Sequence, residues 1–384
     1  MGVSAMRSDT PTSGTDRSAV DLFCGAGGAG RGIHAAGFDV VAGVDKKADP
    51  LQAYNESLSS DPIQHDLSDV DPSILPTTDI DYLHGSPPCQ GFSQAAGSRD
   101  ADDDRNALVW RFVEWVDKLQ PAAVTMENVA GMRSISTTWM DRLEGAFRDA
   151  GYVMRWRELN AANYGVPQTR KRVICVAVRE DLPVPSQWFP APTHTRSGTR
   201  TLDGRELDQW RTVEDAIGDL QHTTNGVTGE GIWRDPDEPA HTIGAESKHY
   251  IRVPNHEPQE HADETRQRLA AIEPGSTAGS TNASRVAADE PSCTIVSGNG
   301  TPPAHYQGPT HDDGARPDGG VGNVRRLTVR ECARLQSFPD DHYFVGGKEE
   351  QYRQVGNAVP PLLQEKISAH ITRIIRSVGA GGER

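Results

Sequence analysis

The chain of 384 residues carries 39 Lys and Arg against 54 Asp and Glu, for a formal net charge of −15, and 35% of its residues are hydrophobic. This length is enough for two or three domains with a buried core, and no apolar run approaches the ~18 residues of a membrane span. The acidic balance argues at first sight against nucleic acid, whose binders usually have basic surfaces. The basic charge is concentrated in one region, however. Residues 151–212 carry 10 basic and 6 acidic side chains, whereas residues 39–104 carry 3 basic and 14 acidic side chains.

The choice among charged residues is uneven, with 7 Lys, 32 Arg, 33 Asp and 21 Glu. This pattern predicts adaptation to high internal salt, as in halophilic archaea, because at ~1 M salt the Debye length falls to ~3 Å and surface carboxylates repel one another little. A GC-rich genome that prefers Arg codons is the alternative. The five cysteines form no C-x-x-C pair, so we expect no metal site, no disulfide framework and a reducing cytoplasm. These cysteines are Cys24, Cys89, Cys175, Cys293 and Cys332.

Residues 1–17 are rich in Ser, Thr, Asp and Gly, which predicts a disordered leader, and they contain no apolar core of a signal peptide. Strand patterns and helical periodicity then alternate along the chain. This alternation predicts an α/β fold, a doubly wound parallel sheet with helices on both faces, in a first domain over 18–182. The predicted strands are 19–23, 40–44, 80–84, 122–126 and 173–178, and the predicted helices include 29–36 and 106–118.

Between 183 and 324 the alternation disappears, and Pro, Gly, Thr, His and Asp dominate. This composition predicts that the segment forms a separate, smaller, loop-rich domain that contains β-structure. Two similar heptapeptides occur in it, Asp237–Ile243 and Asp289–Ile295, and we interpret them as similar turns leading into strands rather than as a functional repeat. Helix signals return over 325–376, which we expect to complete the first domain, and 377–384 is predicted to be a flexible tail.

A glycine-rich turn, Asp21-Leu-Phe-Cys-Gly-Ala-Gly-Gly-Ala-Gly30, joins the first strand to the first helix. Glycines let a backbone approach a ligand closely, and a helix N-terminus offers N–H donors. Asp45 ends the next strand, where a carboxylate can accept hydrogen bonds from ribose hydroxyls, and Asp66 is expected at the following strand end. Together these features predict an adenosine-containing cofactor, although Asp45 alone could equally be a helix N-cap.

The segment Gly85-Ser-Pro-Pro-Cys-Gln-Gly-Phe-Ser93 follows the third predicted strand. Two prolines fix the backbone just before Cys89, and Gly91 frees it afterwards. A cysteine held on a rigid turn after a strand suits a nucleophile, provided that its pKa is lowered. The alternative is that Cys89 is a small buried hydrophobic residue, which is the commoner role of a lone cysteine.

Two further polar motifs border predicted strands. Glu127-Asn128-Val129 follows the strand ending at Met126, at the same carboxyl edge as Cys89, where a carboxylate could act as a general acid or as an N-cap. Gln168-Thr-Arg-Lys-Arg172 precedes a buried strand. Its basic residues could hold a phosphate or a carbonyl oxygen, or they could form a solvated charge run.

In this order these motifs resemble those of the cytosine-C5 DNA methyltransferases, over about 18–370. Arg326-Leu-Thr-Val-Arg-Glu-Cys-Ala-Arg-Leu-Gln-Ser-Phe-Pro339 resembles the motif that ends the family's recognition region. Gln354-Val-Gly-Asn-Ala-Val-Pro-Pro361 resembles its last motif, which returns to the cofactor domain. The resemblance implies a Rossmann-like methyltransferase sheet over 18–182 and 325–376, S-adenosylmethionine as cofactor, and a target-recognition domain over 183–324.

The resemblance also implies catalytic roles. Cys89 attacks C6 of a flipped-out cytosine, Glu127 acts at N3, Arg172 holds O2, and Arg170 supports the thiolate side of the pocket. The addition lets C5 take the methyl group, after which the C5 proton leaves and Cys89 is expelled. The base must flip because its target atoms are inaccessible in a stacked duplex. Further substrate contacts are implied for Gln90, Ser93, Asn128 and Gln168.

The implied cofactor contacts assign the adenine to Phe23, the methionine portion to the backbone of 25–30, the ribose to Asp45 and the adenine amino group to Asp66. Two residues depart from the family's pattern: Asp45 stands where Glu is usual, and Ala358 stands where Ser is common. Both departures change the individual contacts expected, and neither changes the resemblance. The implied cofactor residues are Phe23, Cys24, Gly25, Ala26, Gly27, Gly28, Asp45, Asp66, Pro88, Leu108, Asn357 and Val359.

Duplex DNA is the expected partner, because a recognition segment of about 140 residues is longer than the transfer-RNA-methylating branch of the family typically has. A transfer RNA cytosine-C5 methyltransferase is the alternative. A silent DNA-binding relative is disfavoured by the presence of Cys89, Glu127 and Arg172, and an exocyclic-amine methyltransferase by the cysteine after Pro-Pro. We expect a cytoplasmic, nucleoid-associated monomer with no membrane partner. It would act beside a separately encoded restriction endonuclease or as a solitary marker.

The acidic run Asp100–Asp104 follows Cys89 closely, in the segment expected to close over DNA. Adaptation to high salt is the one account that we have for this run. High salt also weakens phosphate contacts, because less is gained by counterion release. We therefore expect the affinity for DNA to depend more on base contacts and on the pocket for the flipped base.

Overall fold

The structure is a computed structural model. It describes residues 17–58, 60–88, 107–134, 137–200, 204–223 and 324–379, with the shorter stretches 269, 271–272, 275–276, 284–295 and 305–307. Our predictions for the leader 1–16, for Cys89, Gln90 and Ser93, for the run Asp100–Asp104 and for Asp237–Ile243 lie outside these residues.

Seven strands form the main sheet: β1 Ser18–Leu22, β2 Asp39–Asp45, β3 Ile63–Gln64, β4 Tyr82–Gly85, β5 Ala123–Val129, β6 Tyr152–Asn160 and β7 Lys171–Arg179. Their order across the sheet is β3-β2-β1-β4-β5-β7-β6, and β1 to β5 are parallel. Helices between the strands are α1 Gly28–Ala35, α2 Ala48–Leu58, α3 Ala107–Leu119 and α4 Thr137–Asp149. The predicted doubly wound α/β sheet is confirmed.

Three details of the predicted sheet are wrong. β7 runs antiparallel to both β5 and β6, and β6 was not predicted. The physical reason is that residues 161–170 join β6 to β7 without a crossover helix, and a connection this short joins antiparallel neighbours. The third detail is the end of β5, which extends to Val129 rather than Met126, because Glu127, Asn128 and Val129 pair with residues of β7.

Hydrophobic residues cover both faces of the sheet. One face packs α3 and α4 against Val20, Leu83 and Val124. The other face packs α1 and the last helix against Ala19, Tyr82 and Ala123. Successive residues of a strand point to opposite faces, so the sheet is buried on both sides.

The remaining elements follow residue 190 and include two small sheets. A third core joins the segments 213–220 and 286–295 to residues 327–355, whereas the last helix returns to the main sheet. Within the described part of the chain, no helix has the length and apolar character to span a bilayer. These elements are β8 His194–Thr195, β9 Asp208–Gln209, α5 Val213–Ile217, β10 Arg285–Val286, β11 His305–Gln307, β12 Val324–Arg326, α6 Val329–Leu335, α7 Lys348–Asn357 and α8 Pro361–Gly379.

Candidate active site

The turn between β1 and α1 is built for close approach of a ligand. Phe23, Gly25 and Gly27 have positive φ values of 58°, 52° and 89°. No atom lies within 4 Å of the position that a Cβ on Gly25 would occupy, so space is open beside this backbone. The turn is held to β2 by a hydrogen bond of 3.1 Å from the Cys24 N–H to the Val44 carbonyl. The result is a glycine cradle at a helix N-terminus.

The Cys24 side chain points away from this cradle. It is buried against Leu51 and Tyr54. Burial, with the nearby Asp21 carboxyl, raises the pKa of the Cys24 thiol well above its usual value. A protonated thiol in a hydrophobic cluster is not a nucleophile. Any contact that Cys24 makes with a cofactor would therefore come from its backbone.

Two carboxylates lie at the same edge of the sheet as the turn. Asp45 accepts hydrogen bonds from the Gly25 N–H at 3.1 Å and from the Lys47 N–H at 3.0 Å, one on each oxygen. Asp66 is fixed by Ser68, whose backbone N–H lowers the pKa of the Asp66 carboxyl, together with the Ser68 hydroxyl and Lys46. A carboxylate oxygen has a second lone pair, so both groups can still accept a hydrogen bond from a ligand.

Asp21 is a functional candidate that sequence reasoning missed. It belongs to the quoted glycine motif, but we assigned it no role. Its carboxyl group is fully buried beneath the turn, and burial raises its pKa well above the usual value, an effect opposed by the Gly30 backbone amide. The signal that the sequence offers is an aspartate directly before a glycine-rich turn. Within the described part of the chain, neither oxygen of its buried carboxyl group has a hydrogen-bond partner, which is costly for a polar group.

The C-terminal part of the chain closes the cradle. A Cβ on Gly28 would lie 2.4 Å from the Val359 carbonyl oxygen and 3.0 Å from the Ala358 Cβ, so glycine is required for the two segments to touch. Gly32, one turn further along α1, approaches the Pro361 carbonyl in the same way. Val359 is buried, and Asn357 at the end of α7 is exposed. The last motif therefore packs directly against the turn between β1 and α1.

Pro88 and Leu108, the other two predicted cofactor residues, border the residues that the structure does not describe. Pro88 is exposed, and Leu108 is half-buried in the first turn of α3. The loop that begins after β4 is anchored on both sides. The Ser86 hydroxyl donates to the Phe23 carbonyl at 3.2 Å, and the Asn128 amide donates to the Pro87 carbonyl at 3.3 Å. These bonds fix the chain two residues before Cys89, beside the cofactor turn and beside Glu127.

Glu127 and Arg172 form an ion pair across β5 and β7, with 2.8 Å between Arg172 Nε and Glu127 Oε1. The two side chains are only 10% and 13% exposed. Val129 is the residue directly opposite Arg172 in the sheet. Glu127, two residues before Val129, is therefore the diagonal neighbour of Arg172 on the same face. The remaining carboxylate oxygen and guanidinium nitrogens can bind polar atoms of a planar ring.

Gln168 and Arg170 are buried, and their hydrogen bonds go to backbone groups of distant segments. The Gln168 side chain accepts from the Ile295 N–H at 3.3 Å and donates to the Leu335 carbonyl at 3.4 Å. Arg170 donates to three carbonyl groups, those of Ile295, Gly356 and Ala358, at 2.9–3.0 Å. The structure thus brings the predicted Gln-x-Arg-x-Arg motif to the site, with Arg172 at the ion pair and Gln168 and Arg170 behind it.

The sheet order, the glycine cradle and the acid at the end of β2 together place an open glycine turn and a carboxylate at the carboxyl edge of the strands of an α/β protein. Among the described residues, no group of three or more His, Cys, Asp or Glu is placed to hold a metal ion.

Comparison with known proteins identifies the class and then the family. Two solved structures share the fold. A prophage-encoded DNA modification methyltransferase of E. coli matches with a TM-score of 0.66 and 24% identity over 94% of this chain and 100% of that one. The S. pombe Dnmt2 methyltransferase matches with a TM-score of 0.58 and 16% identity over 94% and 99%. The fold is thus that of a Rossmann-like methyltransferase.

The model of the C-5 cytosine-specific DNA methylase family matches residues 18–373, and the chain belongs to this family. It is a DNA cytosine-5-methyltransferase. Type II methyltransferase M.XorII of Xanthomonas oryzae pv. oryzae is 32% identical, with 93% of this chain and 85% of that protein covered. Type II methyltransferase M.MthTI of Methanothermobacter thermautotrophicus is also 32% identical, with 93% and 97% covered.

Proposed function

We propose that the enzyme transfers a methyl group from S-adenosylmethionine to C5 of a cytosine that is flipped out of a specific duplex DNA sequence, through a covalent bond between Cys89 and C6. The observation that carries this proposal is the Glu127–Arg172 ion pair, whose two side chains are 10% and 13% exposed. The Asn128 amide holds the loop after β4 at the Pro87 carbonyl, two residues before Cys89.

The residues at the glycine turn fit the proposed cofactor. Gly25 leaves open space beside a backbone that only glycine adopts readily, and Asp45 and Asp66 offer acceptors for the ribose and for the adenine amino group. Phe23 is half-buried and its side chain packs against the core, with one part left for an adenine. When bound, S-adenosylmethionine supplies a methyl group that is electrophilic because it is attached to a sulfonium.

The protein's own residues make cytosine reactive. C6 is electron-poor only when N3 carries a proton or a strong hydrogen bond, and Glu127 is the group proposed to supply it. Arg172, held against Glu127, is proposed to bind the cytosine O2 with its remaining donors. The Cys89 sulfur then forms a bond to C6, the C5–C6 double bond opens, and its electron pair makes C5 nucleophilic.

The same residues complete the cycle. After C5 has gained the methyl group, a base removes the C5 proton, the C5–C6 double bond forms again, and Cys89 leaves as a thiolate. The proton returns from N3 to Glu127. Dividing one difficult substitution into an addition and an elimination is the advantage of a covalent nucleophile. Since C5 and C6 are stacked in a duplex, the base must leave the helix for these steps.

Duplex DNA is the proposed substrate rather than transfer RNA. The supporting observations are the length of the segment 183–324 and the curated relatives, which are Type II methyltransferases. We further propose that the enzyme acts as a monomer and belongs to a restriction-modification pair whose endonuclease is encoded separately.

The test is transfer of radiolabelled methyl groups to duplex DNA and, in parallel, to transfer RNA. We expect label in DNA cytosine, and we expect Cys89→Ala to abolish it. Cys175→Ala is the matched control, because the Cys175 thiol, in β7, is buried in the core. Label in transfer RNA alone would reject the DNA substrate, and full activity of Cys89→Ala would reject the covalent route. Bisulfite sequencing of DNA from cells that express the enzyme then gives the target sequence.

A further inference from the structure

Arg170 is one of the largest fully buried side chains in the described part of the chain, with 1% exposure. Its Nη1 donates to the Ile295 carbonyl at 3.0 Å. Its Nη2 donates to the Gly356 carbonyl at 2.9 Å and to the Ala358 carbonyl at 3.0 Å. A buried guanidinium needs such partners, because leaving its donors unsatisfied is costly.

The three carbonyl groups belong to two segments with different tasks. Ile295 lies in the segment 292–295, which comes from the predicted recognition domain and runs alongside Gln168. Gly356 and Ala358 belong to the turn that touches Gly28 of the cofactor cradle. Arg170 itself lies two residues before Arg172, which holds Glu127. The Arg170 side chain therefore joins the recognition segment and the 356–358 turn to the start of β7, the strand that carries Arg172.

Neighbouring residues strengthen the link to the recognition segment. The Thr169 N–H donates to the Ser292 carbonyl at 2.9 Å, and the Thr294 hydroxyl donates to the Thr169 carbonyl at 3.0 Å. Together with the bond from the Ile295 N–H to Gln168, these contacts hold 292–295 against the motif along its length. The 356–358 turn, in contrast, is bound to this motif by the two hydrogen bonds from Arg170 Nη2.

We propose that Arg170 is a positioning residue. It holds the recognition segment and the 356–358 turn in a fixed position relative to the Glu127–Arg172 pair, and it does not touch the reacting atoms. This inference rests on the proposed function. Arg170 then does not support the Cys89 thiolate, as the family resemblance implied, but instead binds backbone carbonyl groups. It also couples the two binding events: Arg170 bonds both the recognition segment and the 356–358 turn, so each ligand raises the affinity for the other by the same factor.

The experiment compares Arg170→Lys with Arg172→Lys in the full-length protein. Lysine keeps the charge but places its donors on one atom, so it cannot reach carbonyl groups of two segments as a guanidinium does. The affinity for S-adenosylmethionine is measured by calorimetry with and without a duplex that contains the mapped target site. Methyl transfer is followed in a single turnover at saturating concentrations of both ligands, over a range of pH.

For the wild-type protein we expect DNA to tighten cofactor binding by about fivefold or more. For Arg170→Lys we expect weaker binding of both ligands and a coupling factor close to 1, while the pH profile of the single-turnover rate stays unchanged. For Arg172→Lys we expect the reverse: normal coupling and a slow chemical step. A slow, pH-shifted chemical step in Arg170→Lys with normal affinities would overturn the proposal, as would a wild-type coupling factor of 1.

A second variant covers the case in which Arg170→Lys does not fold. Thr294→Val removes one hydrogen bond of the recognition segment and keeps the side-chain shape. We expect it to leave cofactor affinity in the absence of DNA unchanged and to reduce the coupling factor, and an unchanged factor would overturn the proposal. Thr372→Val, on α8, is the matched control. Because all these measurements are of binding, they are separable from a failure of the proposed function, which would appear as wild-type protein that labels no DNA cytosine.

Discussion

Arg172 and Glu127 contact each other diagonally across β5 and β7, so the acid and its cation are fixed by the pairing of two buried strands rather than by a loop. A carboxylate held in this way keeps its position whether or not a substrate is bound. Preorganisation of this kind reduces the reorganisation that the chemical step would otherwise require.

We predict that Glu127→Gln lowers kcat by about 10²–10⁴-fold, the usual contribution of a general acid or base. Cofactor affinity should stay unchanged, because the glycine cradle is built from other residues. Methyl transfer and calorimetry measure the two quantities. Glu180→Gln, an exposed residue just after β7, is the control and should behave as wild type. An unchanged kcat in Glu127→Gln would remove Glu127 from the mechanism.

The contact between Gly28 and Val359 gives a prediction about the cradle. Gly28→Ala places a methyl group 2.4 Å from a backbone carbonyl oxygen, so α1 and the last motif must separate. We expect a loss of stability of about 1–3 kcal/mol, as for other overpacked sites, together with weaker cofactor binding. Urea unfolding and calorimetry measure these effects.

Gly145→Ala, in α4, provides the matched control for Gly28→Ala. No atom lies within 4 Å of the position of its new methyl group. Alanine is favoured over glycine inside a helix by up to about 1 kcal/mol, so this variant should be as stable as wild type or more so. Equal behaviour of the two variants would contradict the steric account.

Asp45 stands where the family usually has glutamate, and its two oxygens already accept N–H groups of Gly25 and Lys47. We predict that Asp45→Asn weakens cofactor binding about 10–100-fold, the effect of losing a hydrogen bond to a charged acceptor. Asp45→Glu should retain more affinity, because it keeps the carboxylate. Asp39→Asn, exposed at the start of the same strand, is the control. Equal affinities for Asp45→Asn and wild type would exclude Asp45 from the ribose site.

His84 gives a prediction about acid stability. It is fully buried in β4, where its Nδ1 contacts the Thr125 hydroxyl at 2.8 Å, and burial lowers its pKa from 6.5 to about 3. Between these two values the unfolded chain binds a proton that the folded protein does not, so stability falls as the pH falls through this range. The contribution at pH 4 is on the order of 3 kcal/mol.

We therefore expect His84→Gln to lose less stability than wild type between pH 7 and pH 4. Glutamine can still bond to Thr125, but it has no group that titrates in this range. Urea unfolding at the two pH values measures the difference. His65→Gln, at an exposed position, should give the wild-type pH dependence. Parallel stability curves for His84→Gln and wild type would show that His84 does not cause the acid sensitivity.

The sequence predicts those parts of the fold that local patterns determine. The strands β1, β2, β4 and β5 are mostly apolar, because they are buried on both faces of a parallel sheet. β6 was missed since Arg155, Arg157 and Glu158 interrupt its apolar residues, as expected for a strand at the edge of a sheet. The direction of β7 was missed because the residues of a strand do not determine whether its neighbour is parallel or antiparallel.

The candidate site was predictable in composition but not in its contacts. Glu127 and Arg172 were both expected at the site, yet nothing local in the sequence states that they form a pair. The partners of Arg170 are more than 120 residues away in the chain, at Ile295, Gly356 and Ala358. Contacts over such distances depend on the packing of whole domains. The resemblance to a family could therefore identify these residues, but not the bonds that they make.

The cofactor cradle is assembled from residues 23–28 and 357–361, which are more than 300 positions apart. A ribosome that has made β1 and α1 must therefore add nearly the whole chain before the second half of the cradle exists. Until then the glycines of α1, whose missing side chains leave room for Val359 and Pro361, face an unfilled groove. We therefore expect cofactor affinity to arise late in translation, once residues 357–361 have been made.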